Sequence, residues 1–140
     1  MFRLITRILG ALAVLAGGFV ATLYFLGDFE PKSSGNVDPR CAGGQRTTIA
    51  KPIPAELGFA FIVSLPALES VSDSNSAPSR SKLMLCENGS VLGPAHSLHD
   101  DIRNQGRGRY SHWAGHLLFS ASDNSDPNKN QRTYFFVLQP

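Results

Sequence analysis

The strongest constraint on this chain is an uncharged stretch of 20 residues near its N-terminus, residues 8–27. A helix of that length rises about 30 Å, which matches the hydrocarbon core of a bilayer. Arg3 and Arg7 precede the stretch, whereas Asp28 and Glu30 follow it. By the positive-inside rule, these charges predict a cytoplasmic N-terminus and an exported C-terminal part.

A cleavable secretory signal peptide is the alternative interpretation of this stretch. Such a peptide needs an apolar region of roughly 7–15 residues, followed by small residues at the cut. The stretch here is longer, and it ends in the bulky residues Tyr24, Phe25 and Leu26. We therefore predict that residues 1–27 form a cytoplasmic stub and an uncleaved, single-pass transmembrane signal anchor.

The charge balance of the exported part argues against a nucleic-acid binder. The chain has 13 Lys and Arg residues and 11 Asp and Glu residues. Two of the 13 basic residues are Arg3 and Arg7, so 11 basic residues face 11 acidic ones from residue 28 onward. A protein that neutralises phosphates would carry a basic excess in that part. We expect a membrane as partner and no nucleic acid.

Turn-forming residues divide the exported part into a tether and a domain. Residues 28–45 are rich in Pro, Gly, Ser and Asp and predict a flexible tether, and residues 46–140 are predicted to form one β-domain. Residues 69–81 have the tether's polar character and predict a long exposed loop. A short helix is predicted over residues 97–104, with Ser97 as its N-cap.

Short runs of aromatic and β-branched residues predict the strands of this domain, at residues 59–65, 82–87, 90–92, 116–120 and 132–138. Asn88 and Gly89 form the favoured two-residue hairpin turn between two of these runs. The predicted fold class is mainly β: one N-terminal transmembrane helix followed by a small antiparallel β-sandwich or barrel-like domain.

Cys41 and Cys86 are the only cysteines. Both fall on the predicted extracytoplasmic side, where disulfides persist. We predict a disulfide between them, and two unrelated thiols are the alternative.

The four histidines, His96, His99, His112 and His116, fall in one polar block with spacings typical of transition-metal ligands. On a regular strand, however, His112 and His116 would lie about 13 Å apart. A second block resembles the opening of a calcium-binding loop, with oxygen ligands at Asp126, Asn128 and Asn130. That loop lacks the required glycine and the closing glutamate, because Gln131 and Val137 occupy those positions. We predict no bound metal and no cofactor.

No catalytic motif stands out. Ser111 and His112 are adjacent in sequence, which does not indicate a triad, and the chain has no nucleophile elbow. We therefore predict that the protein is not an enzyme.

A binding surface is the better prediction for the polar block. Flat aromatic faces and planar hydrogen-bonding groups suit a sugar ring, and the block supplies both: Tyr110, Trp113, Arg103, Arg107, Arg109, Asn124 and Asn128. Strand alternation puts Ser111 and Trp113 on one face and Tyr110 and His112 on the other. One of the two aromatic residues is then core and the other exposed. We expect a partly exposed Trp113, with a core Trp113 as the alternative.

The same block carries a family resemblance, through residues 87–89, 92–96, 99, 101–103, 106, 108–113 and 122–127. With these residues, the stretch 81–134 resembles a small β-rich module of bacterial surface-polysaccharide biosynthesis proteins, where it is attached to glycosyltransferase or methyltransferase domains. This chain departs from the module at Cys86, usually aromatic, and at Gln131, usually glycine. The resemblance implies a bacterial envelope setting and a link to carbohydrate. It transfers no catalytic activity, because no transferase domain is present.

Together these features predict a membrane-anchored, non-enzymatic envelope protein of the bacterial inner membrane, whose periplasmic β-domain binds a glycan or a protein partner. The alternative is a structural accessory subunit of a larger membrane complex. For that role, Ala13, Gly17 and Ala21 would pack against another helix in the bilayer. An enzyme acting on envelope glycans ranks below both.

The arginine asymmetry makes the topology testable. A reporter that is active only in the periplasm should work when it is fused after Pro140, because the domain is expected to be exported. Activity of a cytoplasm-only reporter at the same position would contradict this topology.

Overall fold

The computed structural model describes residues 36–140. The anchor predicted over residues 1–27 lies outside the described residues. Among the helices that the structure does describe, none combines the length and the apolar character needed to span a bilayer.

The described chain is mainly β. Its strands are β1 (Arg46–Thr48), β2 (Phe61–Ser64), β3 (Leu83–Glu87), β4 (Ser90–Val91), β5 (Tyr110–Trp113), β6 (His116–Phe119) and β7 (Tyr134–Leu138). One sheet has the order β1-β7-β3-β4 and the other has the order β2-β6-β5, and every neighbouring pair is antiparallel. Three short helices accompany them: α1 (Pro39–Ala42), α2 (His99–Asn104) and a 3-10 helix (Pro66–Val71).

Two tight turns set the strand register. Asn88 and Gly89 join β3 to β4 with φ values of 49° and 86°, and Ala114 and Gly115 join β5 to β6 with φ values of 46° and 71°. Two successive residues with positive φ define the hairpin turn whose twist matches that of paired strands. The turn predicted at Asn88 and Gly89 is therefore present.

The two sheets contribute to one apolar core. Strand alternation sends the side chains of Leu83 and Leu85 from β3, and of Leu117 and Phe119 from β6, into the same buried cluster. This arrangement is consistent with a β-sandwich. A smaller cluster lies on the opposite face of the second sheet, where Ile102 of α2 packs on Leu118 and Ala60. Helix α2 thus covers the outer face of the sheet that carries β5.

The N-cap predicted for α2 is wrong. Leu98 occupies the N-cap position, and no side chain caps the helix. The Ser97 hydroxyl instead donates to the carbonyl of Pro94, at 2.8 Å. Serine side chains compete for nearby backbone groups in this way, and the N-cap lies one residue later than predicted.

The folded unit begins before residue 46. Asp38 caps α1 through its side chain, which accepts from the backbone N–H of Arg40 at 2.9 Å. Cys41 in α1 is fully buried, and it is joined by a disulfide to Cys86 in β3, 45 residues along the chain. Part of the stretch predicted as a flexible tether is therefore attached to the first sheet.

Removal of the disulfide should destabilise the fold. The bond closes a long loop and so reduces the entropy of the unfolded chain, by about 4 kcal/mol as an upper figure. Cys41→Ser combined with Cys86→Ser should lower the melting temperature, whereas Ser79→Ala, at an exposed loop position, should not. An unchanged melting temperature in the double variant, or two free thiols in the unreduced denatured protein, would contradict this.

Candidate functional site

A cavity of about 280 Å³ opens beside β5 and the start of α2. Its walls come from three parts of the chain: the loop before β3, the segment around the α2 N-terminus, and β5. The lining residues are Asp73, Pro78, His96, Ser97, Leu98, His99, Ser111 and Trp113. Since residues 69–81 contribute a wall, they are more than the exposed loop predicted from their polarity.

An aromatic pair forms one wall of the cavity. Trp113 is half-buried, and strand alternation puts it on the same face of β5 as Ser111. The His99 ring stands edge-on to the indole, with ring centroids 6.3 Å apart and an angle of 85°. Burial, followed by the charge of Arg103, lowers the pKa of His99 below its ordinary value. His99 therefore contributes a neutral imidazole at neutral pH.

A buried carboxylate lies beside Trp113 in the cavity lining. Asp73 is only 1% exposed, and both of its oxygens accept hydrogen bonds. Oδ1 accepts from the backbone N–H of Ser81 at 2.8 Å, and Oδ2 accepts from Nδ1 of His96 at 2.7 Å. His96 has a φ of 53°, a left-handed conformation that few non-glycine residues adopt. The pair thus fixes the imidazole and leaves its Nε2 available to a ligand.

The Asp73 carboxylate is connected to the core through Ser81 and His112. The Ser81 hydroxyl shares a hydrogen bond of 2.7 Å with Nδ1 of His112, and the Asp73 N–H donates to the His112 carbonyl at 2.8 Å. His112 is 1% exposed, and its Nε2 has no hydrogen-bond partner among the described residues. Burial lowers the pKa of His112, against the opposing effect of the Asp73 charge. A network of polar side chains and backbone groups therefore links Asp73 to β5.

Of the seven binding residues predicted from the sequence, only Trp113 lines this cavity. Tyr110 is 4% exposed, and its hydroxyl donates to the carbonyl of Leu83 at 3.2 Å. Tyr110 therefore belongs to the core, and Trp113 is the partly exposed aromatic residue of β5.

The arginines have other surroundings. Arg103 forms ion pairs with Glu56 at 2.7 Å and with Asp100 at 3.1 Å, and these carboxylates raise its pKa. Arg109 donates to the carbonyl of Gly106 at 3.0 Å. Arg107 is exposed and lies outside the cavity lining.

The two predicted asparagines hold loops together. The Asn124 side chain accepts from the Arg107 N–H at 2.5 Å and donates to the Gln105 carbonyl at 3.1 Å. Asn128 accepts from the N–H of Ile53 at 2.7 Å and donates to the Ile53 carbonyl at 2.9 Å. Both amides are used in hydrogen bonds to the backbone of distant segments, so these asparagines connect loops of the domain.

A separate polar network surrounds the 7%-exposed Glu87. Its carboxylate accepts from the Tyr134 hydroxyl at 2.7 Å, from the Ser122 hydroxyl and from Arg132 at 3.2 Å. Arg132 also pairs with Asp123 at 2.5 Å. Arg132, followed by Ser125, holds the pKa of Asp123 well below its usual range, and burial with the nearby Glu87 raises that of Tyr134.

The loop that resembles a calcium site uses its oxygens internally. Asp126 accepts from the Asn128 N–H at 2.9 Å and pairs with Lys129 at 3.2 Å, and Asn130 accepts from the Arg132 N–H at 3.1 Å. Over residues 36–140, no cluster of three or more His, Cys, Asp or Glu side chains could hold a metal ion. His112 and His116 do not converge, since His112 is buried and His116 is exposed.

The cavity combines the half-buried indole of Trp113, the neutral imidazole of His99 and the imidazole of His96, which is paired with buried Asp73. This set can stack on an apolar ring face and hydrogen-bond hydroxyl groups at its edge. Comparison of the chain with protein-family models, curated proteins and solved structures finds no match. The interpretation of the cavity therefore depends on its own geometry.

Buried His112 predicts a pH dependence of stability. Its pKa is lowered in the folded state, so the unfolded state binds more protons below the ordinary histidine pKa of about 6.5. The free energy of unfolding should therefore fall as pH decreases from about 7 to about 5. His112→Gln should flatten this slope, as measured by urea unfolding at each pH. The same substitution at exposed His116 is the control, and an equal slope in parent and His112→Gln protein would refute the assignment.

Proposed function

We propose that this protein is a membrane-anchored, non-enzymatic glycan-binding protein of the bacterial envelope. In this proposal the chain is a single-pass protein of the inner membrane, with a cytoplasmic N-terminus and a periplasmic β-sandwich domain. The observation that carries the proposal is Trp113, whose half-buried indole forms the wall of a cavity beside the Asp73–His96 pair.

The cavity offers both kinds of contact that a sugar makes, an apolar wall and ring nitrogens. Pyranose rings have an apolar face that packs on an indole, and hydroxyl groups at the rim that need donors and acceptors. Trp113 can pack on the apolar face of the ring, whereas the ring nitrogens of His96 and His99 can form hydrogen bonds with its hydroxyl groups. A volume of about 280 Å³ is at the lower end of ligand sites, so the cavity suits one small polar ring.

Two further observations support the envelope setting. The uncharged stretch with arginines before it supports an anchor, and the disulfide between Cys41 and Cys86 suits an oxidising compartment. The resemblance to a module of surface-polysaccharide biosynthesis proteins supports the choice of a glycan. Four of the residues that carry this resemblance line the cavity: His96, His99, Ser111 and Trp113.

An accessory subunit of a membrane complex is the second candidate. It is favoured by the helical spacing of Ala13, Gly17 and Ala21, which suits close packing of two helices. Co-migration of the detergent-solubilised protein with a large complex would support this role, whereas a monodisperse protomer of 15.1 kDa would argue against it.

Substitution of Trp113 separates binding from folding. Trp113→Ala should weaken glycan binding by about 1–3 kcal/mol, as a contact residue in a pocket does, with little loss of stability. Tyr110→Ala is the matched control on the same strand, and it should instead cost roughly 3–5 kcal/mol of folding free energy because Tyr110 is buried. Melting curves and binding isotherms of both variants, with fractionated envelope polysaccharide as ligand, make the comparison. A large stability loss in Trp113→Ala with unchanged binding would contradict the proposal.

A further inference from the structure

A second cavity of about 280 Å³ lies on the other side of Trp113. Its walls come from the end of the 3-10 helix, the following loop and the β5–β6 turn. The lining residues are Glu69, Ser72, Asp73, Ser74, Asn75, Arg80, Trp113 and Ala114.

The two cavities share two residues, Asp73 and Trp113. Hydrogen bonds fix Asp73 in the shared wall, because its N–H donates to the carbonyl of His112 and both of its carboxylate oxygens accept hydrogen bonds. Trp113 pairs with Asp73 through an isolated parallel bridge. The two cavities therefore meet at the half-buried indole and at Asp73.

The second cavity carries groups of both charges. Arg80 is exposed, and its hydrogen bond is a long one of 3.4 Å from Nη1 to the carbonyl of Ser70. Among the described residues, neither Arg80 nor Glu69 takes part in an ion pair. An anionic ligand would gain from Arg80 but face repulsion from Glu69. A neutral ligand with many hydroxyl groups could donate to Glu69 and accept from Arg80 and Asn75.

We infer that both cavities are occupied by one neutral oligosaccharide, with adjacent sugar residues on either side of Trp113. This inference depends on the proposed glycan-binding function and extends it to the length and charge of the ligand. The first cavity holds a ring through the indole, His96 and His99. The second holds the neighbouring ring through Arg80 and Asn75, and the glycosidic linkage crosses the exposed part of the indole.

A length series tests this arrangement. The full chain is purified in a detergent without a sugar headgroup, and calorimetry measures binding of the mono-, di- and tetrasaccharides of glucose, mannose, galactose and N-acetylglucosamine. For the best sugar, the disaccharide should bind about tenfold more tightly than the monosaccharide, because hydrogen bonds to a second ring add to the affinity. The tetrasaccharide should gain little more.

Single substitutions test whether the tighter binding of the disaccharide comes from the second cavity. Arg80→Ala and Asn75→Ala should each reduce the advantage of the disaccharide and leave the affinity for the monosaccharide unchanged. Lys82→Ala is the matched control, since Lys82 is exposed and lies outside both linings. Thermal melts of all variants exclude misfolding as the cause.

The following results would overturn the inference. Two results would refute binding in the second cavity and leave the glycan-binding proposal standing. One is equal affinity for the monosaccharide and the disaccharide. The other is a disaccharide that still binds more tightly than the monosaccharide in both Arg80→Ala and Asn75→Ala protein. Tighter binding of oligogalacturonate than of every neutral oligosaccharide would refute the neutral class. Absence of binding to all of these sugars would overturn both the inference and the proposed function.

Discussion

The buried carboxylate of Asp73 is the contact on which the candidate site depends. A charge that is 1% exposed is costly unless its oxygens are paired, and here a backbone N–H and the imidazole of His96 satisfy them. These bonds join the loop before β3 to the segment before α2, and the Asp73 N–H joins both to β5. The three segments that line the first cavity are therefore connected through one residue, by the side chain and the backbone N–H of Asp73.

The other end of the domain is held by different means. The disulfide attaches α1 to β3. At the end of the same strand, the Glu87 carboxylate accepts hydrogen bonds from Tyr134 and Ser122 and forms an ion pair with Arg132. Loops that lack regular structure are thereby tied to the first sheet. Polar residues at this end serve the fold, whereas those around Trp113 leave ring nitrogens and an indole available to a ligand.

Local patterns in the sequence were sufficient for much of the fold. Short apolar runs predict β3, β6 and β7 to within a few residues, and Asn88 with Gly89 predicts the hairpin turn between β3 and β4. Alternation along β5 likewise separates Tyr110 from Trp113, since it depends only on neighbours in sequence.

The cavity itself needed contacts that no local pattern contains. Asp73 finds its partner His96 23 residues along the chain, and Arg103 finds Glu56 at a separation of 47 residues. A guanidinium or carboxylate in a sequence shows what it could bind, but its partner depends on how distant loops meet. For this reason the predicted set contained Arg103, which is already paired, and it missed Asp73, Ser111 and the place of His96 and His99 around Trp113.

If Trp113 contacts the glycan as we propose, intrinsic fluorescence should report the contact, because Trp113 is the single tryptophan of the chain. Emission and acrylamide quenching are measured while envelope polysaccharide is added to the full chain. We expect a saturable change in emission and protection from quenching, since the half-buried indole becomes covered. Saturable binding by calorimetry, with unchanged emission and unchanged quenching, would contradict it.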